Sequence, residues 1–333
     1  MVTQPDPRKG PVDRTPPTGR LTVVEPPGQD LCPWVEAHLM PNPTTAPQQH
    51  ERRPSGWQHR PVQLLAGNRL QGTGFDSALR QGFVDGRWVL DLSKVKFVEI
   101  YPMVAMACFV SRAQQRGHGL QLSIPESNQV KTYLSRMGFV EMLAEHYEVE
   151  ARPLRQVRAQ PHPNDLLELQ RFDSSHKIEE LANLVWERLS QVPPHVRRTI
   201  YECIIEIGDN VIFHAGSGGG WVAAQTYRRG TANERIDLAI GDTGVGIRRT
   251  MRRHKPRSDG DAIRLALQFG VSGLADPGRG VGLAETADQI RSVGGRLLVR
   301  SGAGRRTVTR HSSVSTPVPA LQGTVVGMSI PCA

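Results

Sequence analysis

Aromatic residues, cysteines and long apolar runs are all scarce in this sequence, and each scarcity excludes something. The four cysteines (Cys32, Cys108, Cys203 and Cys332) are scattered without Cys-x-x-Cys or Cys/His spacing, which argues against a zinc site and a disulfide framework. Cys108 and Cys203 fall within apolar periodic runs and read as core residues. No apolar run approaches the ~20 residues that a membrane-spanning helix needs. The opening segment MVTQPDPRKGPVDRTPPTGR has no apolar stretch of the kind a secretory signal carries, so a soluble, cytoplasmic protein with no membrane partner is expected. Aromatics make up 5% of the 333 residues, and this bears on the net charge of +9. The arginines are dispersed, with few aromatics beside them, whereas tracking a phosphate backbone needs a concentrated basic stripe. Nucleic acid is therefore not the expected partner; an acidic protein or a bound polyphosphate accounts for the charge equally well.

What the chain does have is proline, glycine and two periodic regions. Residues 1–58 are rich in Pro, Gly, Gln and Arg and read as a mostly disordered tail, with Asp30–Met40 (DLCPWVEAHLM) as a short docking helix or partner-folded peptide. From about residue 60 to 150 the pattern is strand, helix, strand, helix. Trp88–Val98 reads as a strand, a turn and a short strand; Tyr101–Gly117 as a helix; Leu120–Ser127 as a strand; and Asn128–Phe139 as a helix stopped by Gly138. That alternation means an α/β domain. The order of DLSKVKF, the helix, GLQL and VKTYLSRMGF resembles the STAS domain of anti-sigma-factor antagonists. Such domains carry a phosphorylatable Ser or Thr where strand meets helix. Here that place reads Val98-Glu99-Ile100-Tyr101-Pro102, leaving Glu99 as either a permanent charge mimic or an ordinary surface carboxylate.

Residues 151–164 read as a Pro- and Arg-rich linker, and 165–333 as a second domain. Ser174–Val192 is an amphipathic helix with Ser174 or Ser175 as its N-cap, and a second helix runs from about His195 to Ala215. In that second helix Ile200, Ile204, Ile207 and Val211 form an apolar stripe. Glu206, Asn210 and His214 stack along another face, which by itself is the wet side of an amphipathic helix. Two strands follow, Gly220–Tyr227 and Ile236–Asp242, as a hairpin. RLLVRSG and TVVGMSIP read as two more strands, separated by a flexible loop over 303–322.

Two glycine clusters accompany these elements: DTGVGI (Asp242–Ile247) after a strand, and GRGVGLAE (Gly278–Glu285) before a helix. Alternate glycines bring backbone N–H groups close to a ligand, and at a helix N-terminus those donors form an anion site. A phosphate chain over Gly280, Val281, Gly282 and Leu283 is the natural reading. No Lys-Ser or Lys-Thr follows either cluster, which excludes a P-loop, and neither provides the spacing of a Rossmann fingerprint.

Taken in order, the helix and the two clusters are similar to the GHKL ATPases (gyrase, heat-shock chaperones, histidine kinases and MutL). Glu206-x-x-x-Asn210 resembles the N box and Asp242-x-Gly244-x-Gly246 the first glycine box. Gly278-x-Gly280-x-Gly282-Leu283 resembles the second, and Gly323-Thr324 the closing Gly-Thr. The resemblance implies a Bergerat-type α/β sandwich, a mixed sheet with helices on one face. It also implies ATP and Mg²⁺ as ligands: Asp242 accepting from the adenine amino group, Asn210 on Mg²⁺, Glu206 orienting or deprotonating a water, and Thr324 near the adenine. Arg248–Pro277 occupies the position of the ATP lid, and Arg279 is the best basic candidate for the γ-phosphate. His214 is favoured as a helix-end charge over a phosphate contact. Asp209 is balanced between a metal-bound water and solvent, and Glu202 is expected at the surface or behind the site.

Three uses of ATP remain open: an anti-sigma-type serine/threonine protein kinase acting on a STAS-type antagonist, a hydrolysing dimeric clamp, and an ATP-gated scaffold. A sigma factor or another regulator is the expected partner class, and a homodimer is admitted. A histidine kinase is disfavoured, because His176 lies in the first turn of a helix belonging to the ATP domain itself.

Overall fold

The computed structural model describes residues 21–24, 62–81, 88–147, 165–214, 218–268, 271 and 282–332. The expected docking helix Asp30–Met40, the linker 151–164 and Gly278, Arg279, Gly280 and Val281 of the second glycine cluster lie outside the described residues. The fold is α/β, with two five-stranded sheets.

The first sheet is built from β1 (Leu21–Val24), β2 (Val62–Leu65), β4 (Leu79–Gln81), β5 (Trp88–Asp91) and β7 (Leu120–Ser123), in the order β1-β7-β5-β2-β4. The pairings are parallel except β2 with β4, so the mixing of strand directions falls in this sheet. β1 is a correction to the tail reading: Leu21–Val24 pairs in register with Leu120–Ser123. Its run LTVV is β-branched and apolar, a local strand signal inside a disorder-like composition. A small pair, β3 (Arg69–Leu70) with β6 (Phe97–Val98), flanks this sheet.

Its helices are α1 (Gly74–Ala78), α2 (Ile100–Gln115), α3 (Asn128–Arg136) and α4 (Phe139–His146). Gly138 does end α3, but by turning the chain at φ +76° straight into α4. Only Arg112, Gln114 and Gln115 of α2 are not buried. A helix apolar all round must be covered on every side, and α2 is: it lies between the two sheets.

The second sheet has the order β11-β12-β10-β9-β8, with β8 (Asp165–Phe172), β9 (Gly220–Tyr227), β10 (Arg235–Asp242), β11 (Arg296–Val308) and β12 (Ser313–Pro331), antiparallel throughout. One face carries α5 (Ser175–Arg188), α6 (Pro194–His214) and α9 (Gly282–Ser292). Their Ile178, Val185, Ile200, Ile204 and Ile290 pack on Val222, Leu238, Ile240 and Val299. Ser174 is the cap of α5, accepting from the Lys177 amide at 3.3 Å.

The opposite face is not open. Trp221, Ala223, Ala239, Leu298 and Val325 share one core with α2 and the first sheet. Alternate small residues make this possible. A Cβ at Gly241 would stand 2.8 Å from Cys108 Sγ, and one at Gly327 2.6 Å from Tyr101 Cδ2. With both faces covered, β9 and β10 are buried along nearly their whole length.

Residues 303–322 are a second correction. They are no free loop but the far part of the β11–β12 hairpin, with Arg305 opposite Thr316, Thr307 opposite Val314 and Val308 opposite Ser313. The turn closes through Thr309 N–H to Ser312 O at 2.8 Å. The Arg306 guanidinium spans Ser313 Oγ and Ser315 Oγ across the strands, at 2.8 and 2.7 Å. Serine and proline made this stretch look irregular, while its β-branched residues support the ladder. Among the described residues no helix is long and apolar enough to cross a membrane.

Candidate functional site

Three elements converge at the end of the second sheet where β10 finishes. The apolar stripe of α6 (Ile200, Ile204, Ile207 and Val211) is buried against the sheet, which leaves Glu206, Asn210 and His214 half-buried along the next face. Val211 anchors this part of α6 beside β9, since a Cβ at Gly220 would lie 2.8 Å from Val211 Cγ1. Gly220 is in turn the cross-strand partner of Asp242. The N-terminus of α9 meets α6 at Glu206 and Asn210: a Cβ at Gly282 would stand 2.5 Å from Glu206 Oε2 and 3.1 Å from Asn210 Nδ2. Without a Cβ, Gly282 comes this close while Glu206 and Asn210 keep their places. The helix and Gly282, the last glycine of the second cluster, far apart in sequence, are thus in contact. Leu283 is half-buried against the same core.

Asp242 ends β10 opposite Thr324. Its side chain is buried, and its Oδ1 accepts from the Gly244 amide at 2.6 Å. Burial pushes its carboxyl up to about 7, against backbone hydrogen bonds from Gly244 and Thr324 that hold it down. Gly246, at φ +77°, ends the loop and leads into α7 (Ile247–Thr250). Ser301 was not foreseen from the sequence. Its Oγ accepts from the Ile247 amide at 2.8 Å and lies 3.2 Å from both Gly323 O and Thr324 Oγ1. Gly323 takes φ +104°, and a side chain there would collide with Asp242 O. The first glycine cluster and the closing Gly-Thr are therefore one structure, pinned by a serine whose only sequence signal was its place at a strand end before a glycine.

The carboxyl of Glu206 is raised by burial first, then by Glu285, Asp209 and Glu202. Asn210 Nδ2 donates back to Glu206 O at 2.8 Å, which leaves its Oδ1 as the acceptor to be used elsewhere. Asp209 is engaged by Ser175 Oγ at 2.7 Å, and Glu202 accepts from Gln289 of α9 at 2.9 Å. These two carboxylates fix neighbouring helices. Burial lowers the imidazole of His214, which works against the charged helix-end role expected for it. His176 is exposed and 3.2 Å from Glu180 on the same helix.

Within 248–277 the described residues include a capped helix. α8 (Asp259–Ala266) is capped by Ser258, buries Ile263, and receives the Ala303 amide on Asp259 Oδ2 at 2.8 Å. Arg264 is tied to Asp261 at 2.7 Å. Glu99 also has a defined place: it accepts from the Gly72 amide at 2.7 Å and pairs with Arg235 of β10 at 3.1 Å. Among the described residues no three His, Cys, Asp or Glu side chains form a cluster able to hold a metal on their own.

No family model matches the chain, and no curated protein matches it. Among solved structures it is similar to the histidine kinase domain from the Erythrobacter litoralis EL346 blue-light activated histidine kinase. That match has 13% identity and a TM-score of 0.27, and covers 69% of this chain and 95% of the other. A similarity of that degree assigns neither an activity nor a ligand.

Proposed function

We propose that this chain binds ATP with Mg²⁺ and acts in signal transduction, as an anti-sigma-type serine/threonine protein kinase or an ATP-gated protein switch. The observation that carries this reading is the approach of Gly282 to Glu206 and Asn210, at the end of the sheet where Asp242 and Thr324 are paired. The start of α9 offers backbone donors to phosphates, and the half-buried Asn210 offers a hard neutral oxygen that suits Mg²⁺. The ion, when bound, neutralises phosphate charge. Asp242 in its ionised form is an acceptor for an exocyclic amino group, with its orientation held by Gly244. Mg²⁺ would need few protein ligands beside Asn210, because it keeps several waters and takes phosphate oxygens. The partner suggested by the STAS resemblance is a STAS-type antagonist, a sigma factor or another regulator.

A second reading, an ATP-hydrolysing dimeric clamp, draws on Glu206. A carboxylate made more basic by burial and acidic neighbours suits removal of a proton from water. Since the far face of the second sheet is occupied by α2, a homodimer would use another surface.

Binding of labelled ATP to the wild-type chain and to Asp242→Asn tests the first layer; equal affinity overturns the adenine assignment. Incubation with γ-labelled ATP and candidate STAS proteins then separates transfer from hydrolysis, which is read as free phosphate.

A further inference from the structure

α2 runs the length of β10. It starts beside Glu99, which pairs with Arg235 at the start of β10, and it ends at Gln115, beside the loop that leaves Asp242. The lengths agree: 16 helical residues span about 24 Å and eight strand residues about 26 Å. The end of α2 makes three connections to the loop, two direct and one through Gln322. Gln115 Nε2 donates to Thr243 Oγ1 at 2.8 Å. The Arg112 guanidinium reaches Thr243 O at 3.5 Å and also donates to Gln322 Oε1, which accepts from Arg116 at 2.9 Å. Gln322 Nε2 then donates to Gly244 O at 3.1 Å. These connections terminate on the two residues that follow Asp242. Thr243 follows Asp242 directly and is 7% exposed, and Gly244 supplies the amide that Asp242 accepts from.

We propose that Gln115, together with Arg112 acting through Gln322, is a positioning residue for Asp242, so that the nucleotide site is completed by a helix of the first sheet's unit. This rests on the nucleotide reading above. The loop Thr243–Gly246 has glycine at two of its four positions, so its backbone has wide freedom of its own. Side-chain hydrogen bonds from a buried helix remove that freedom before a ligand arrives, and binding then costs less ordering entropy. Because Asp242 is assigned to the base and not to the phosphates, the effect is the same for ATP and ADP.

The test is calorimetric binding of ATP and of ADP to the full chain, with Gln115→Ala, Thr243→Val, the double variant and Glu99→Gln. Gln115 is exposed, so its variant keeps the fold. Gln115→Ala and Thr243→Val are each expected to weaken ATP and ADP by a common factor of about two to ten. The double variant is expected to match the weaker single variant, because both remove one interaction. Glu99→Gln, at the far end of the same contact, lowers the unfolding midpoint and leaves both affinities as in wild type. Wild-type affinity in Gln115→Ala, additive losses in the double variant, or an equal loss in Glu99→Gln overturns the positioning role while the nucleotide reading stands. If the wild-type chain binds neither nucleotide, the nucleotide reading fails and the proposal fails with it.

Discussion

Asp76 Oδ1 lies 2.6 Å from Arg300 Nε, with the two side chains 2% and 1% exposed, and Arg305 holds the other carboxylate oxygen at 2.9 Å. Asp76 belongs to α1 beside the first sheet and Arg300 to β11 of the second. The remaining guanidinium donors of Arg300 go to the carbonyls of Leu321 and Pro319, at 3.3 and 2.5 Å. A charge pair this deep is tolerated because each nitrogen of the Arg300 guanidinium has an acceptor.

Removing the carboxylate leaves two arginines, one wholly buried, without their counter-charge. Asp76→Ala is therefore expected to destabilise the fold by about 3–5 kcal/mol. Urea unfolding followed by tryptophan fluorescence measures it; a loss within about 1 kcal/mol would mean that the pair is not what joins the two sheets.

The small-residue face of the second sheet admits α2 by leaving no room for more. Gly327→Val would drive a side chain into the Tyr101 ring, which is itself buried and cannot withdraw. A cost of about 1–3 kcal/mol or more is expected from overpacking, visible as a lowered thermal midpoint.

Asp242 carries a pH dependence whose sign can be stated. Its carboxyl titrates near 7 in the folded chain, and near 4 when unfolded, so between those values the folded state holds the extra proton. Stability contributed this way is present at low pH and falls as pH rises from about 4 through 7. Asp242→Asn lacks that slope, so its urea midpoint is expected to gain on wild type between pH 5 and pH 8. ATP binding runs the other way. The ionised form is the acceptor, so wild-type affinity should rise with pH through about 7 and should weaken in acid.

Gly282→Ala separates the site from the fold. The added methyl meets the far end of the Glu206 side chain, which can swing away at little cost to stability. Nucleotide turnover is expected to drop while the unfolding midpoint stays near wild type. If phosphate is released at all, Glu206→Ala should reduce the rate about 100-fold or more, as for loss of a general base. An undiminished rate would remove Glu206 from the chemistry and leave the switch reading.

Much of the candidate site's local geometry was legible because its residues obey local rules. The stripe Ile200, Ile204, Ile207 and Val211 dictated which side of α6 faces the core, and thereby where Glu206 and Asn210 stand. The end of β10 at Asp242 and the glycines after it were equally local. Ser301, Gln115 and Gln322 were not legible, because each acts on a partner 54, 128 or 78 residues away and carries no periodic or turn signal of its own. The hairpin over 303–322 was hidden by composition: serines and prolines outweighed the alternating Thr and Val that pair across it. β1 was hidden likewise, since four β-prone residues in a proline-rich stretch become a strand only when β7 offers its edge.

By itself the sequence determined the longer helices α2, α3, α5 and α6, the strands β5, β7, β9 and β10, the orientation of α6, and which residues were worth watching. Periodicity, caps and glycines act within a few residues and need no tertiary context. The tertiary structure alone decided that Gly282 touches Glu206, that Glu99 and Asp76 reach across to Arg235 and Arg300, and that α2 fills the second face of the sheet. Those contacts depend on close packing between distant segments. Ala223, Ala239, Gly241 and Gly327 read as unremarkable small residues in a strand until a buried helix lies against them.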